Sequence, residues 1–172
     1  MNLADSDFAL FALPERFRQD RAALDARWKE LQREAHPDRH AAQGTAAQRV
    51  AMQWSVRINE AYQRLKDPLK RAAYLCELRG APINAESNTA MPTAFLMQQM
   101  QWREALDEAT TEDDLDALAH ELSAARAQVL AEIERLLDEA QDAAAAAHEV
   151  RALMFIERFD HDVQARFEQL GQ

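Results

Sequence analysis

The sequence predicts an all-α protein in two parts, a helical hairpin followed by an antiparallel three-helix bundle. Three observations carry that expectation. Only three Gly and five Pro punctuate the 172 residues, while Ala, Leu, Glu, Arg and Gln, all good helix formers, are abundant. Apolar residues recur at spacings of three and four over long stretches, as they do on a helix with one buried stripe. The charges also divide: residues 1–76 hold 13 basic against 10 acidic side chains, net +3, whereas residues 77–172 hold 7 against 20, net −13. That asymmetry is a two-domain signal, and 48% hydrophobic residues are enough for packed cores. The acidic second part would repel a phosphate backbone, which argues against nucleic acid as its partner. No apolar run is long enough to span a bilayer, so no membrane association is expected. Asp5 and Asp7 stand where a signal peptide needs positive charge, and a cytoplasmic location is expected. The single Cys76 closes a helical pattern and reads as a small core residue rather than a nucleophile or ligand.

Taken in order, the first apolar segment, Phe8 to Leu13, is closed by Pro14. Asp20 is a plausible N-cap for a helix running to Ala35, with Leu24, Trp28, Leu31 and Ala35 as its buried stripe. Pro37 ends that helix, because it disfavours helical geometry at His36 and lacks a backbone donor of its own. The chain is then expected to leave as an exposed loop. A second helix runs from about Ala46 to Lys66, with Val50, Trp54, Ile58, Ala61 and Leu65 on one face. Two such helices form an antiparallel hairpin with His36-Pro37-Asp38 at its tip. Arg27, Lys29 and Arg33 on the exposed side of the first helix can steer an acidic partner surface toward that tip.

Asp38 can accept paired hydrogen bonds from a partner Arg, His36 can donate or accept, and Pro37 fixes the backbone between them, a set suited to recognition. Other uses have less support. His36 and His40 are four apart, but Pro37 breaks the helix that would bring them onto one metal. No nucleophile or phosphate cradle lies near His36 in sequence, so general-base chemistry is unsupported. Neither a metal nor a cofactor is expected.

The tip with Arg39 behind it, the helix before it, and the downstream run Ile58-Asn59-Glu60-Ala61-Tyr62-Gln63-Arg64-Leu65-Lys66-Asp67-Pro68-Leu69-Lys70-Arg71-Ala72-Ala73-Tyr74 together resemble a J domain. That module stimulates ATP hydrolysis by the seventy-kilodalton chaperone ATPases. Phe8 to Pro14 looks like the family's short first helix and its turn. The resemblance covers residues 1–76 and implies a chaperone-binding role for His36, Pro37, Asp38, Arg27, Lys29, Arg33 and Arg39. The basic face is mixed here, with Asp25, Glu30 and Glu34 among the positive residues. Many J domains have a nearly all-basic face, so weaker or more selective docking is expected.

Asp67-Pro68 reads as an N-cap followed by proline at the first helical position, and Gly80 as the left-handed cap that ends this helix. Residues 77–91 are then the helix end and a linker marked by Pro82, Asn84, Ser87, Asn88 and Thr89. Residues 92–172 offer three helical patterns. The first spans Thr93 to about Ala109. The second is capped by Thr111, with Asp114 at the capping-box position, and carries Leu115, Leu118, Leu122, Val129, Ile133 and Leu136. The third runs from about Ala143 to Leu170.

Two stretches in this half hold more apolar residues than one narrow stripe needs. Phe95, Trp102 and Leu106 can face inward, which leaves Leu96, Met97 and Met100 turned at least partly away. Leu153, Met154, Phe155 and Ile156 are consecutive, so some of them are expected to face out unless the core face is wide. Ala94-Phe95-Leu96-Met97-Gln98-Gln99-Met100, then Arg103-Glu104-Ala105-Leu106-Asp107-Glu108, and later Val150-Arg151-Ala152-Leu153-Met154-Phe155, placed behind a J domain, resemble the bacterial iron-sulfur cluster co-chaperone family of the HscB type. With the first domain included, this resemblance covers almost the whole chain. It implies an adaptor rather than an enzyme. Its partners would be a seventy-kilodalton-class chaperone ATPase (HscA type) and an iron-sulfur scaffold protein (IscU type). Leu96, Met97, Met100 and Phe155 would form the scaffold-binding apolar patch, with Arg103 and Glu104 at its polar edge. Two alternatives stay open: a J-domain protein with a different client, and a helical enzyme or metal protein using His36, His40 and an acidic cluster such as Asp113, Asp114 and Asp116.

Overall fold

The computed structural model describes residues 1–84 and 91–172, and among these it contains helices and connecting turns but no strand. The seven α-helices are α1 (Asp7–Leu10), α2 (Arg21–Ala35), α3 (Thr45–Lys66), α4 (Pro68–Leu78), α5 (Thr93–Glu108), α6 (Glu112–Glu134) and α7 (Ala143–Leu170). They gather into two compact units, Met1–Leu75 and Cys76–Gln172. Of the linker expected over 77–91, residues 85–90 lie outside the described residues.

In the first unit α2 and α3 form the hairpin. Asp20 caps α2 by accepting hydrogen bonds from the Ala22 and Ala23 amides, and the helix ends at His36 with φ −61° and ψ 128°. Pro37 disfavours helical geometry at the preceding residue, and His36 takes the extended conformation instead. The tip itself is more regular than the loop that the sequence suggests. Pro37–Gln43 winds into a 3₁₀ helix, which Gly44 ends at φ +100°, a conformation that a side chain would strain. Between the helices, Trp28 stacks on Tyr62 with ring centroids 4.6 Å apart and its indole N–H donates to Asn59 Oδ1 at 3.1 Å. Val50 departs from its expected buried stripe and is exposed, while Ala51 is buried. The cause is helical drift: each four-residue step turns about 40° beyond a full circle. Counted back from buried Ile58, Trp54 and then Val50 therefore drift progressively off the core, whereas Ala51, Ile58 and Leu65, spaced by sevens, stay on it.

The small apolar interior, including Phe8, Phe11, Leu24, Leu31, Ile58 and Leu65, encloses one charge, Asp7. Its carboxylate meets Arg57 at 2.8 Å and Arg64 at 2.6 Å. Its backbone N–H donates to the Tyr74 hydroxyl at 2.9 Å, whose pKa is raised chiefly by burial. Tyr74 in turn stacks on Phe8 and lies beneath the Arg64 guanidinium at 4.3 Å. This network ties α1, α3 and α4 together.

In the second unit α4 ends as the sequence indicates. Gly80 takes φ +81°, the Ala81 amide reaches back to the Cys76 carbonyl and the Gly80 amide to that of Glu77, as in a Schellman cap. Cys76 is buried, and desolvation pushes its thiol up to about 11, so it stays protonated and unreactive at neutral pH. The bundle starts α5 at Thr93 and α7 at Ala143. Thr111 and Asp114 form both halves of the capping box at the start of α6. The Thr110 amide, followed by the Thr111 hydroxyl and amide, holds the Asp114 carboxyl below its usual range. At its other end α6 widens into a π turn, Arg135–Glu139, so Leu136 lies beyond the α-helix. The core is built from Trp102 and Leu106 of α5, Leu115, Leu118 and Leu122 of α6, and Phe155, Ile156, Phe159 and Val163 of α7.

Candidate functional site

Two surfaces collect the residues that the sequence singles out. At the hairpin tip the Asp38 amide donates to His36 Nδ1 at 3.2 Å. This bond makes Nδ1 the acceptor, which puts the imidazole proton on Nε2 in the neutral ring. The tip therefore offers a ring N–H donor together with the Asp38 carboxylate, whose side chain is 91% exposed. Arg39 stiffens the turn, its amide donating to the His36 carbonyl and its guanidinium to the Arg33 carbonyl at 3.4 Å. His40 also turns back, with Nε2 3.2 Å from the Glu34 carbonyl and Nδ1 3.3 Å from Gln43 Oε1.

Along α2, Lys29 and Arg33 are exposed beside this tip. Arg27 is not placed as the sequence suggests. It is half-buried rather than exposed, donating through Nε to the Phe11 carbonyl at 3.3 Å and pairing with Glu30 at 3.2 Å, contacts that tie it to α1. Asp25 is also engaged: the Tyr62 hydroxyl, and then Arg21, hold its carboxyl below the usual range. The mixed charge of this helix is thus partly absorbed by pairs within the unit. An apolar groove of about 440 Å³ opens next to the tip, lined by Leu31, Ala35, Ala47, Val50, Trp54 and Ile58 among others. Its visible signal in the sequence is the small side chain at Ala47, one turn before Ala51.

The second surface is one face of α5. Because α5 turns Phe95, Trp102 and Leu106 toward the core, the opposite side shows Leu96 at 41%, Met97 at 57% and Met100 at 70% exposure. Arg103 and Glu104 continue the same face and are exposed. Phe155 does not join it. Only 9% exposed, its ring meets Phe95 edge-on at 5.8 Å and stacks on Trp102 at 6.4 Å and Phe159 at 5.8 Å. The Arg103 guanidinium lies 5.6 Å from its centroid. Leu153 and Ile156 are buried as well and Met154 half-buried, because the α7 surface meets both α5 and α6, so its core face is wide. Phe155 belongs to the aromatic layer supporting the exposed face, and Arg103 joins the two.

The acidic cluster at Asp113, Asp114 and Asp116 opens α6, where Asp114 is engaged in the capping box. No helix among the described residues is long and apolar enough to cross a membrane. The buried Asp7 network leaves no signal in residue spacing, since it is assembled from residues distant in the chain, whereas the aromatic layer shows in part, Phe95 and Trp102 being seven apart and Phe155 and Phe159 four.

Residues 91–164 match the family model described as the HSCB C-terminal oligomerisation domain. Over 99% of its length the chain is 53% identical to the co-chaperone protein HscB homolog of Burkholderia multivorans, covering 98% of that protein. It is 51% identical to the homolog of Burkholderia mallei over the same shares. Among solved structures it is similar to the chaperone HscB from Vibrio cholerae, with a TM-score of 0.81 and 34% identity over 96% of this chain and 99% of that one. The human co-chaperone protein HscB shares the fold, with a TM-score of 0.90 at 24% identity over 96% of this chain and 84% of that one. The geometry of both units and identity over nearly the full length lead to one conclusion: the chain belongs to the HscB co-chaperone family.

Proposed function

We propose that this co-chaperone is a two-ended adaptor, with residues 1–76 acting as a J domain and 92–172 as the bundle that binds a scaffold. The bundle captures an iron-sulfur scaffold protein of the IscU type through Leu96, Met97 and Met100, edged by Arg103 and Glu104 and backed by Phe155. The tip then presents His36, Pro37 and Asp38 to a seventy-kilodalton-class chaperone ATPase of the HscA type, with Lys29, Arg33 and Arg39 guiding the approach. Stimulated hydrolysis in the chaperone locks the scaffold onto it and assists the maturation of iron-sulfur proteins. The observation that carries this reading is a solvent-facing apolar face on α5 in the same chain as a preorganised donor and acceptor tip. Large exposed apolar side chains grouped on one face mark a partner surface, and the Asp38 carboxylate suits a bidentate Arg. Carrying both sites on one chain makes the scaffold's encounter with the chaperone effectively intramolecular.

Titration of the scaffold into wild type, H36Q and an L96A/M100A variant tests the assignment. Wild type and H36Q should bind alike, while the α5 variant should lose roughly tenfold or more in affinity, as expected for truncation of central apolar contacts. Equal binding by all three would remove α5 as the capture face. A second reading comes from the description of the matching family model as an oligomerisation domain: the same face would then pair copies of the chain. Light scattering across a concentration series separates the two, since self-association disrupted by L96A/M100A favours pairing.

A further inference from the structure

We infer that Met97 and Met100 form an oxidation-sensitive modification site that releases the captured partner; the inference rests on the α5 capture reading. The two thioethers lie one turn apart on α5, at 57% and 70% exposure, open to a small oxidant such as a peroxide. The other methionines of the bundle are more protected. Met91 and Met154 are half-buried, and the Met91 sulfur accepts a hydrogen bond from Gln99 Nε2 at 3.3 Å. With hydrogen peroxide a sulfur lone pair attacks one oxygen, the S–O bond forms as the O–O bond breaks, sulfur loses two electrons, and the departing hydroxide takes the proton of the transferred oxygen and leaves as water. A sulfoxide reductase reverses it, two thiols giving up the electrons and forming a disulfide and water.

The position decides the consequence. In the free protein both sulfoxides stay in water, so the layer of Trp102, Phe155 and Phe159 beneath them is undisturbed and the bundle keeps its fold. In the complex each sulfoxide oxygen would have to be stripped of water inside an apolar contact, which opposes binding. Oxidation therefore switches capture without unfolding the protein that performs it.

The test treats the full-length protein alone with hydrogen peroxide, quantifies sulfoxide at each methionine by peptide mass spectrometry, removes the oxidant, and measures affinity for untreated IscU-type scaffold. Affinity should fall by roughly tenfold or more in step with sulfoxide at Met97 and Met100, return after sulfoxide reductase treatment, and leave the thermal midpoint of the bundle in place. In M97L/M100L, compared with its own untreated sample, peroxide should leave affinity within about twofold, because volume-conserving Leu offers no thioether. Full affinity with both residues oxidised, or an equal peroxide-dependent loss in M97L/M100L, overturns the switch and leaves the capture reading standing. Absence of binding before any oxidation overturns the capture reading and the switch with it.

Discussion

At Asp7 a full charge is enclosed with no solvent exposure in a unit whose interior is otherwise apolar. It is tolerated because Arg57 and Arg64 both reach it, and removing one member of such a group leaves the others uncompensated. Asp7→Asn should therefore destabilise the first unit by about 3 kcal/mol, visible as an earlier transition in urea; an unchanged midpoint would show that the two arginines find other partners. Glu149 is the opposite case. Burial, reinforced by Glu132, raises its carboxyl pKa above the ordinary 4.5, so ionisation at neutral pH costs stability that the protonated form does not. Glu149→Gln should raise the thermal midpoint by about a degree at neutral pH, after allowance for solvent screening. That gain should fade as pH falls below 4.5, where the unfolded chain is protonated too. A gain that persisted in acid would assign the effect to packing instead of charge.

The helices differ in how far spacing can describe them. α5 shows both faces clearly in its sequence, because it packs on one side and its three- and four-residue spacing separates Trp102 and Leu106 from Met97 and Met100. α7 does not, since a helix flanked by two others buries a broad arc, and four consecutive apolar residues no longer imply an exposed one. Proline and capping chemistry are the most legible features: the end of α2 at Pro37, the Thr111–Asp114 box and the Gly80 cap are set by local rules that need no tertiary context. The inward turn of Arg27 depends on the Phe11 carbonyl, sixteen residues away, and the 3₁₀ form of residues 37–43 carries no periodic apolar signal. The contrast between α5 and α7 is measurable. Phe155→Ala should destabilise the bundle by about 3 kcal/mol through the cavity it leaves, whereas truncating Leu96, Met97 and Met100 should each shift stability by about 0.5 kcal/mol or less. Comparable losses from both sets would mean that the α5 face is packed rather than available.

At the scale of the whole molecule, one chain carries a near-neutral hairpin with a polar tip and an acidic bundle with an apolar face. The division of charge anticipates two units, and the boundary falls within α4, whose last turn belongs to the second. The two-ended account predicts cooperation between sites that no single unit could supply. Its most direct test is the steady-state ATPase rate of the HscA-type chaperone with scaffold alone, with this protein alone, and with both, using wild type, H36Q and L96A/M100A. The account predicts synergy when both are present, stimulation abolished in H36Q, and L96A/M100A reduced to the rate seen without scaffold. Stimulation that survives in H36Q, or that is indifferent to scaffold and to the α5 face, would contradict it.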